Sequence, residues 1–407
     1  MNFKKRRQKV FETLNNNEMA LFFAGKPVRK SADADYPFEA NRNYYYLTGI
    51  NEPEGVLMLI KRENKNQETL YIRDINPDME KWIGRFVQLK DAREISQVDM
   101  VNFVSNFKTQ FQTYLSRSKI DALYLDLDRQ QMDTRPFESE LFFEEINKNY
   151  PALPIKNSYF EVARLRTIKD EDEIKLIKEA ADITNQAIEY AISNMEPGDY
   201  EYEIQADFLY VLNKNNASEM FDTIMASGKN GPILHYVENN AQTHDNDLIL
   251  FDLGAKKNHY GADISRTYPV NGKFTERQKE LYNIVLKVQE KVTQAAKPGV
   301  TLQDLNQIVI DYYKEELPKV GLTQPVATYY YHSVSHFLGL DTHDIGQIIG
   351  EPLQENQVIS NEPGLYVQDE NIGIRIETDL LITKDGCIDL APQIKKSVDD
   401  IEAFMNR

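Results

Sequence analysis

The sequence predicts an α/β (α+β) protein of two domains, one over residues 1–160 and one over 161–407. Three observations predict it. Short apolar runs alternate with helical patterns in the first part, as expected of a mostly buried sheet covered by helices. That alternation ends near PALPIKNSYFEVARLR, where a long helix pattern opens. Beyond it the order helix, Pro-Gly, helix, strands occurs twice. Pro197-Gly198 and Pro298-Gly299 stand 101 residues apart, and so do His235 and His336. Two offsets that agree indicate an internal duplication. The second domain is then a two-fold pseudo-symmetric α/β unit with a site between its halves.

The elements follow in order. ALFFAG (20–25), YYYLTG (44–49), GVLMLI (55–60), TLYIRD (69–74) and ALYLDL (122–127) read as strands. Residues 100–115 and 138–150 read as helices, the second stopped before Pro151. Asp170 with Glu173 three residues later forms a capping-box start for the next helix. The acids at 170–173 suit the positive end of its dipole and are read as structural. Pro197-Gly198 ends that helix, and EYEIQADFLYVLNK resumes one.

Composition narrows the function. The 407 residues include 64 acidic and 47 basic side chains, a net charge of −17. Phosphate would be repelled, which excludes a nucleic-acid or anionic-membrane surface as the main partner. Most of the excess acid is a solvated surface. The single cysteine, Cys387, leaves no internal disulfide framework and fits a reducing, cytoplasmic setting. The N-terminus is basic but lacks the apolar run of a signal peptide, and no window approaches a membrane span. All six histidines lie at or beyond His235.

Four strand-like segments carry acids where apolar residues are expected. Asp252 interrupts LILFDLGAKK, with Gly254 on the same face by period two. Asp263, Ser265 and Thr267 share a face in YGADISRTYPV. Glu362 follows Val358 and Ser360 in NQVISNEPGLYV and is halted by Pro363-Gly364. Arg375, Glu377 and Asp379 share a face opposite Ile374 and Ile376. One such acid is usually just solvent-facing. Four buried together are prohibitive without counter-charge. Two divalent cations, about 3.5–4 Å apart with a hydroxide between them, would neutralise the four carboxylates.

The histidines add nitrogen. His332, His336 and His343 stand at spacings of four and seven in YYYHSVSHFLGLDTHD. Beside the acids, one is read as a metal ligand and the others as hydrogen-bond donors around it. His235, after a Gly-rich turn, is placed towards the same cleft, and His244 and His259 are left on the surface. Oxygen-rich ligation with one imidazole favours Mn²⁺, with Zn²⁺, Co²⁺ or Fe²⁺ as alternatives.

FDLGA, ADISRTYPVNGKFT, SHFLGLDTHD, NEPGLYV and GIRIETD resemble the pita-bread metallopeptidases, and aminopeptidase P in particular. RNYYYLTGINEPEGVLMLIK resembles that family's N-terminal domain, so the likeness runs nearly end to end. The resemblance implies an N-terminal creatinase-like α/β domain plus a C-terminal pseudo-two-fold pita-bread catalytic domain. It implies Asp252, Asp263, His336, Glu362 and Glu377 as ligands of two divalent ions, with Asp263 and Glu377 shared by both. It further implies hydrolysis of the bond between an N-terminal residue and a following proline by a hydroxide bridging the metals. Glu362 would shuttle the proton. His343 and His235 would bind the peptide and its tetrahedral intermediate, and His332 would line the proline pocket. Arg375 and Tyr366 are read either as orienting carboxylates or as packing.

Trp82, the only tryptophan, resembles a family residue that reaches a neighbouring subunit's cleft, which implies a homodimer or homotetramer. A plain core tryptophan is the alternative. Similar dipeptidases, the prolidases, carry an arginine between the histidine motif and the first glutamate ligand. Residues 344–362 contain none, which favours longer peptides. Relatives that only bind peptides have substituted ligands, whereas all five are present here. Asn361 departs from the small apolar residue usual before that glutamate, and strand alternation turns it away from the ligand face.

Overall fold

The computed structural model describes residues 1–129, 132–346 and 349–405 and divides into two units, Met1–Arg166 and Thr167–Arg407. The first unit is built on a six-stranded sheet. Its order is Met100–Phe103, Gln67–Ile72, Val56–Ile60, Glu18–Phe23, Ala122–Leu125 and Ile155–Asn157. The central strands are buried on both faces, and the helices Phe107–Arg117 and Glu138–Asn149 cover the face that Met19, Leu21, Met58, Leu123 and Leu125 share. Phe107, Phe111 and Phe142 pack there against Met58, Leu123 and Leu125.

Two local expectations are corrected. YYYLTG is not a strand: residues Arg42–Thr48 form a helix. Asn41 caps it by accepting from the Asn43 and Tyr44 amides, and Gly49 ends it at φ 70. These end signals outweigh the strand preference of three adjacent tyrosines, all of which the helix buries. In residues 100–115, Met100–Phe103 is an edge strand paired in parallel with Gln67–Ile72, and the helix starts only at Phe107. Sheet pairing overrides local periodicity there.

The second unit carries two helix pairs. Glu171–Asn194 packs on Glu201–Lys214, and Glu276–Ala295 packs on Leu302–Glu316. Gly198 and Gly299 lie in the connecting turns at φ 106 and 92, where a side chain would be strained. The capping box forms: Asp170 accepts from the Glu173 amide, and Glu173 accepts from the Asp170 amide. Antiparallel strands follow each pair. Leu248–Leu253 lies between Ile224–Ser227 and Ile264–Pro269. Val358–Asn361 pairs with Thr378–Ile382, and Gly364–Val367 with Ile372–Arg375. The Glu377 amide donates to the Ser265 carbonyl at 3.0 Å, joining the two halves where the acids converge.

Gly254 is required by one such close approach. A Cβ there would stand 1.8 Å from the Ala262 carbonyl oxygen, where the backbone just after Asp252 meets the backbone just before Asp263. Gly254→Ala is therefore expected to lower stability by about 3 kcal/mol, read as a drop in denaturant midpoint. An unchanged midpoint would show that the two backbones separate freely.

Candidate metal centre

Asp252 sits inside an apolar strand, opposite Ser265 in the antiparallel register. Asp263 directly precedes the strand Ile264–Pro269, and Glu377 lies between Ile372–Arg375 and Thr378–Ile382. Glu362 follows Val358–Asn361 at the break that Pro363 makes. His336 is in an irregular segment held to that strand. Its amide donates to Ser360 Oγ at 3.0 Å, and its carbonyl accepts from the Ser360 amide at 2.9 Å.

These elements bring eight predicted residues into one cleft of ≈ 690 Å³: Asp252, Asp263, Glu362, Glu377, His235, His332, His336 and His343. Ligating atoms of Asp263, His336 and Glu377 all lie within 4.8 Å of one another. His336 Nε2 is 3.4 Å from Asp263 Oδ2 and 3.2 Å from Glu362 Oε1. Its Nδ1 faces the Phe337 carbonyl at 3.0 Å. A carbonyl only accepts, so Nδ1 keeps its proton, and Nε2, between two carboxylates, is the nitrogen that a cation would claim by displacing its proton.

Arg375 and Tyr366 belong to the polar machinery and not only to packing. Arg375 donates to Asp252 Oδ2, to Ser265 Oγ at 2.7 Å and to the Tyr366 hydroxyl at 2.9 Å. The Tyr366 hydroxyl stands 2.8 Å from His332 Nε2, and His332 Nδ1 faces the Ser333 carbonyl. The chain therefore reads Arg375 to Tyr366 to His332, each donating to the next. The His343 ring lies 4.3 Å from that of His336, centre to centre. His244 is exposed, while His259 is half-buried in a turn at φ 70.

Trp82 belongs to the first unit, on the helix Pro77–Ile83, and is 84% exposed, so it is not a core residue. Four contributors were given no role from the sequence. Ser265 Oγ is shared among Arg375, Asp252 and Glu377. Asp379 accepts from the Asp263 amide, and Ser360 Oγ lies 3.1 Å from Glu362 Oε1. The fully buried Arg266 holds the Ser265 and Glu377 carbonyls. Their period-two spacing from the acids marked Ser265, Asp379 and Ser360 as face-mates; Arg266 carried no signal.

Electrostatics favour a cation. Burial lifts Asp263 to about 6, with Asp252 and Glu362 adding to the rise against His336. Burial, then Asp263, Glu362 and Asp252, hold Glu377 well above the usual carboxylate range. Glu362 is the exception: burial pushes it up, but His336, His332 and Arg375 outweigh that and lower it to about 2. Burial pulls His336 down, yet Asp263 and Glu362 hold it well above its ordinary value. Burial lowers His332 and His343. Glu377 Oε1 is buried and has no hydrogen-bond partner among the described residues. An orphaned carboxylate oxygen beside a second carboxylate and an imidazole nitrogen fits a divalent metal-binding site.

The same shifts set a pH dependence without metal. Asp263 and Glu377 bind protons more tightly folded than unfolded. The stability they contribute is present at low pH and, for Asp263, lost as pH rises from 3.8 through about 6. Raised His336 acts in the same direction above 6.5. Glu362 opposes them only below 4.5, and His332 and His343, held low by burial, oppose them below 6.5. Metal-stripped protein should therefore melt lower at pH 8 than at pH 5.5, and Glu377→Gln should shrink that difference. Equal melting temperatures at both pH values in the stripped protein would contradict it.

Residues 175–384, more than half of the chain, match metallopeptidase family M24, and residues 3–124 match the aminopeptidase P N-terminal domain. Over 99% of its length the chain is 33% identical to the Xaa-Pro aminopeptidase of Haemophilus influenzae, covering 97% of that protein. A Bacillus anthracis structure described as an aminopeptidase P superposes with a TM-score of 0.97 at 41% identity, covering 99% of this chain and 97% of that one. Zn-substituted Escherichia coli aminopeptidase P in complex with product gives a TM-score of 0.90 at 32% identity, over 100% of this chain and 98% of that one. The chain belongs to metallopeptidase family M24 and carries an aminopeptidase P N-terminal domain ahead of its pita-bread domain.

Proposed function

We propose that this protein is a metal-dependent Xaa-Pro aminopeptidase, removing the N-terminal residue from peptides with proline in second place. The observation that carries the reading is the convergence of Asp263, His336 and Glu377 in one cleft, with Asp252 and Glu362 beside them. Full-length similarity to Xaa-Pro aminopeptidases supports the substrate. The ligand set is Asp252, Asp263, His336, Glu362 and Glu377, for two divalent ions, Mn²⁺ first. Asp263 and Glu377 would serve both ions, Asp252 one, and His336 with Glu362 the other. When bound, such ions supply Lewis-acid polarisation of the scissile carbonyl and a water of lowered pKa.

The side chains do the rest. Glu362, ionised at neutral pH, accepts the proton of the attacking water. It returns that proton to the proline nitrogen as the C–N bond breaks, because a secondary amine must be protonated to leave. His343 and His235 hydrogen-bond the peptide and the developing oxyanion. His332, fixed by Tyr366, lines the proline pocket. Proline sets the specificity: its amide has no N–H and its ring fixes φ, so ordinary extended-chain recognition fails. Trp82, exposed on its helix, reaches a neighbouring subunit's cleft in a homodimer or homotetramer, and the protein works in the cytoplasm. No described helix is long and apolar enough to cross a membrane.

The test compares peptides in Mn²⁺. An Xaa-Pro-Yaa tripeptide should show a kcat/KM about tenfold or more above that of the Xaa-Pro dipeptide, about 1.4 kcal/mol of transition-state stabilisation. Faster turnover of the dipeptide would reassign the enzyme as a dipeptidase.

A further inference from the structure

The segment between Ser227 and Ala241 carries His235 into the cleft, yet contains no strand and only the short turn Gly228–Asn230. An irregular segment lacks a ladder to satisfy its backbone groups or to fix its side chains. Here a single carboxylate takes that part. Glu201, the first residue of the helix Glu201–Lys214, is fully buried, and no Lys, Arg or His forms an ion pair with it among the described residues. Burying such a charge is unfavourable unless donors replace water.

Five donors do so. Oε1 accepts from the Ser227 amide and hydroxyl, both at 2.7 Å, and from Asn230 Nδ2 at 3.2 Å. Oε2 accepts from the Tyr236 hydroxyl at 2.8 Å and the Ala241 amide at 2.9 Å. The helix N-terminus adds a favourable dipole. The five donors bracket and enter the segment: Ser227 at the end of the strand that leads into it, its turn, the neighbour of His235, and Ala241 where it ends. The opposite side is equally constrained. A Cβ on Gly373 would stand 2.1 Å from the Gly231 carbonyl oxygen, and the Tyr331 hydroxyl donates to the Pro232 carbonyl. The Tyr236 ring lies in a small apolar cluster with Tyr366, the residue that fixes His332.

We infer that Glu201 is a positioning residue for substrate binding: its carboxylate clamps the 227–241 segment so that His235 is held in the cleft to meet the peptide. This rests on the reading of His235 as a peptide-binding residue. Glu201 touches neither the peptide nor the proposed ligands, and acts through Tyr236 and the segment's ends. Glu201→Gln keeps the shape but turns an amide N–H₂ against donors, breaking one half of the clamp.

The experiment is a double-variant cycle in the Mn²⁺-loaded enzyme, combining Glu201→Gln with His235→Ala, and Tyr236→Phe with His235→Ala. Tyr236→Phe removes one donor of the five and keeps the test open should Glu201→Gln fail to fold. KM and kcat for an Xaa-Pro-Yaa peptide, bound metal, and amide hydrogen exchange across 228–241 are measured. His235→Ala should lower kcat/KM. Glu201→Gln should lower kcat/KM about tenfold, leave metal content unchanged and speed exchange in the segment. Tyr236→Phe should do the same to a smaller degree. Each double variant should be no worse than His235→Ala alone. Effects that multiply with His235→Ala, or variants with unchanged kcat/KM and exchange, would overturn the inference. If His235→Ala itself leaves KM and kcat unchanged while Glu201→Gln alters them, the reading of His235 is what fails, and the clamp through it falls with it.

Discussion

Four carboxylates gathered in one cleft, Asp263 and Glu377 buried and Asp252 and Glu362 half-buried, set the terms for the second unit. Left alone, Asp252, Asp263, Glu362 and Glu377 would repel each other in a medium that screens poorly. The surrounding structure spreads that repulsion unevenly. Arg375 and Ser265 compensate Asp252, and His336, His332 and Arg375 keep Glu362 ionised. Asp263 and Glu377 are left with raised proton affinity, and Glu377 with an oxygen that no described residue satisfies. The same two carboxylates and His336 form the tight cluster, so the remaining electrostatic deficit coincides with the place where a cation fits.

The backbone holds this arrangement rigidly. Glu377 is registered on Ser265, Glu362 on Val334, and His336 on Ser360 by main-chain or side-chain hydrogen bonds. The histidines beyond the cluster sit on irregular segments, where polar networks stand in for sheet pairing. Tyr366 and Arg375 hold His332, and Glu201 holds the segment of His235. Asp344, next to His343 in the chain, is buried and ion-paired with Lys169 at 3.1 Å. Precision at a site built on loops requires this kind of support.

Much of this was legible before any coordinates. Acids inside apolar strands are anomalous because burial without counter-charge is so unfavourable, and that anomaly named Asp252, Asp263, Glu362 and Glu377. The capping box at Asp170 and the glycines after Pro197 and Pro298 are local signals with local causes, and they form as read. Asn361 does turn away from the acids, donating to the Gln289 carbonyl and Thr293. What stayed hidden depends on long-range contact or on competition between signals. Residues Arg42–Thr48 look extended by composition, yet their caps decide for helix. Met100–Phe103 became a strand only because Gln67–Ile72 offered an edge. Glu201 and Arg266 are unremarkable in sequence, since the partners of Glu201 lie 26 to 40 residues away and those of Arg266, Ser265 apart, 111 to 129.

The central claim is that these carboxylates are arranged for a pair of cations. Anomalous scattering at the manganese edge from Mn²⁺-soaked crystals addresses it most directly. The account predicts two peaks about 3.5–4 Å apart, with Asp263 and Glu377 each touching both. A single peak, or peaks that leave Glu377 Oε1 without a metal contact, would contradict it.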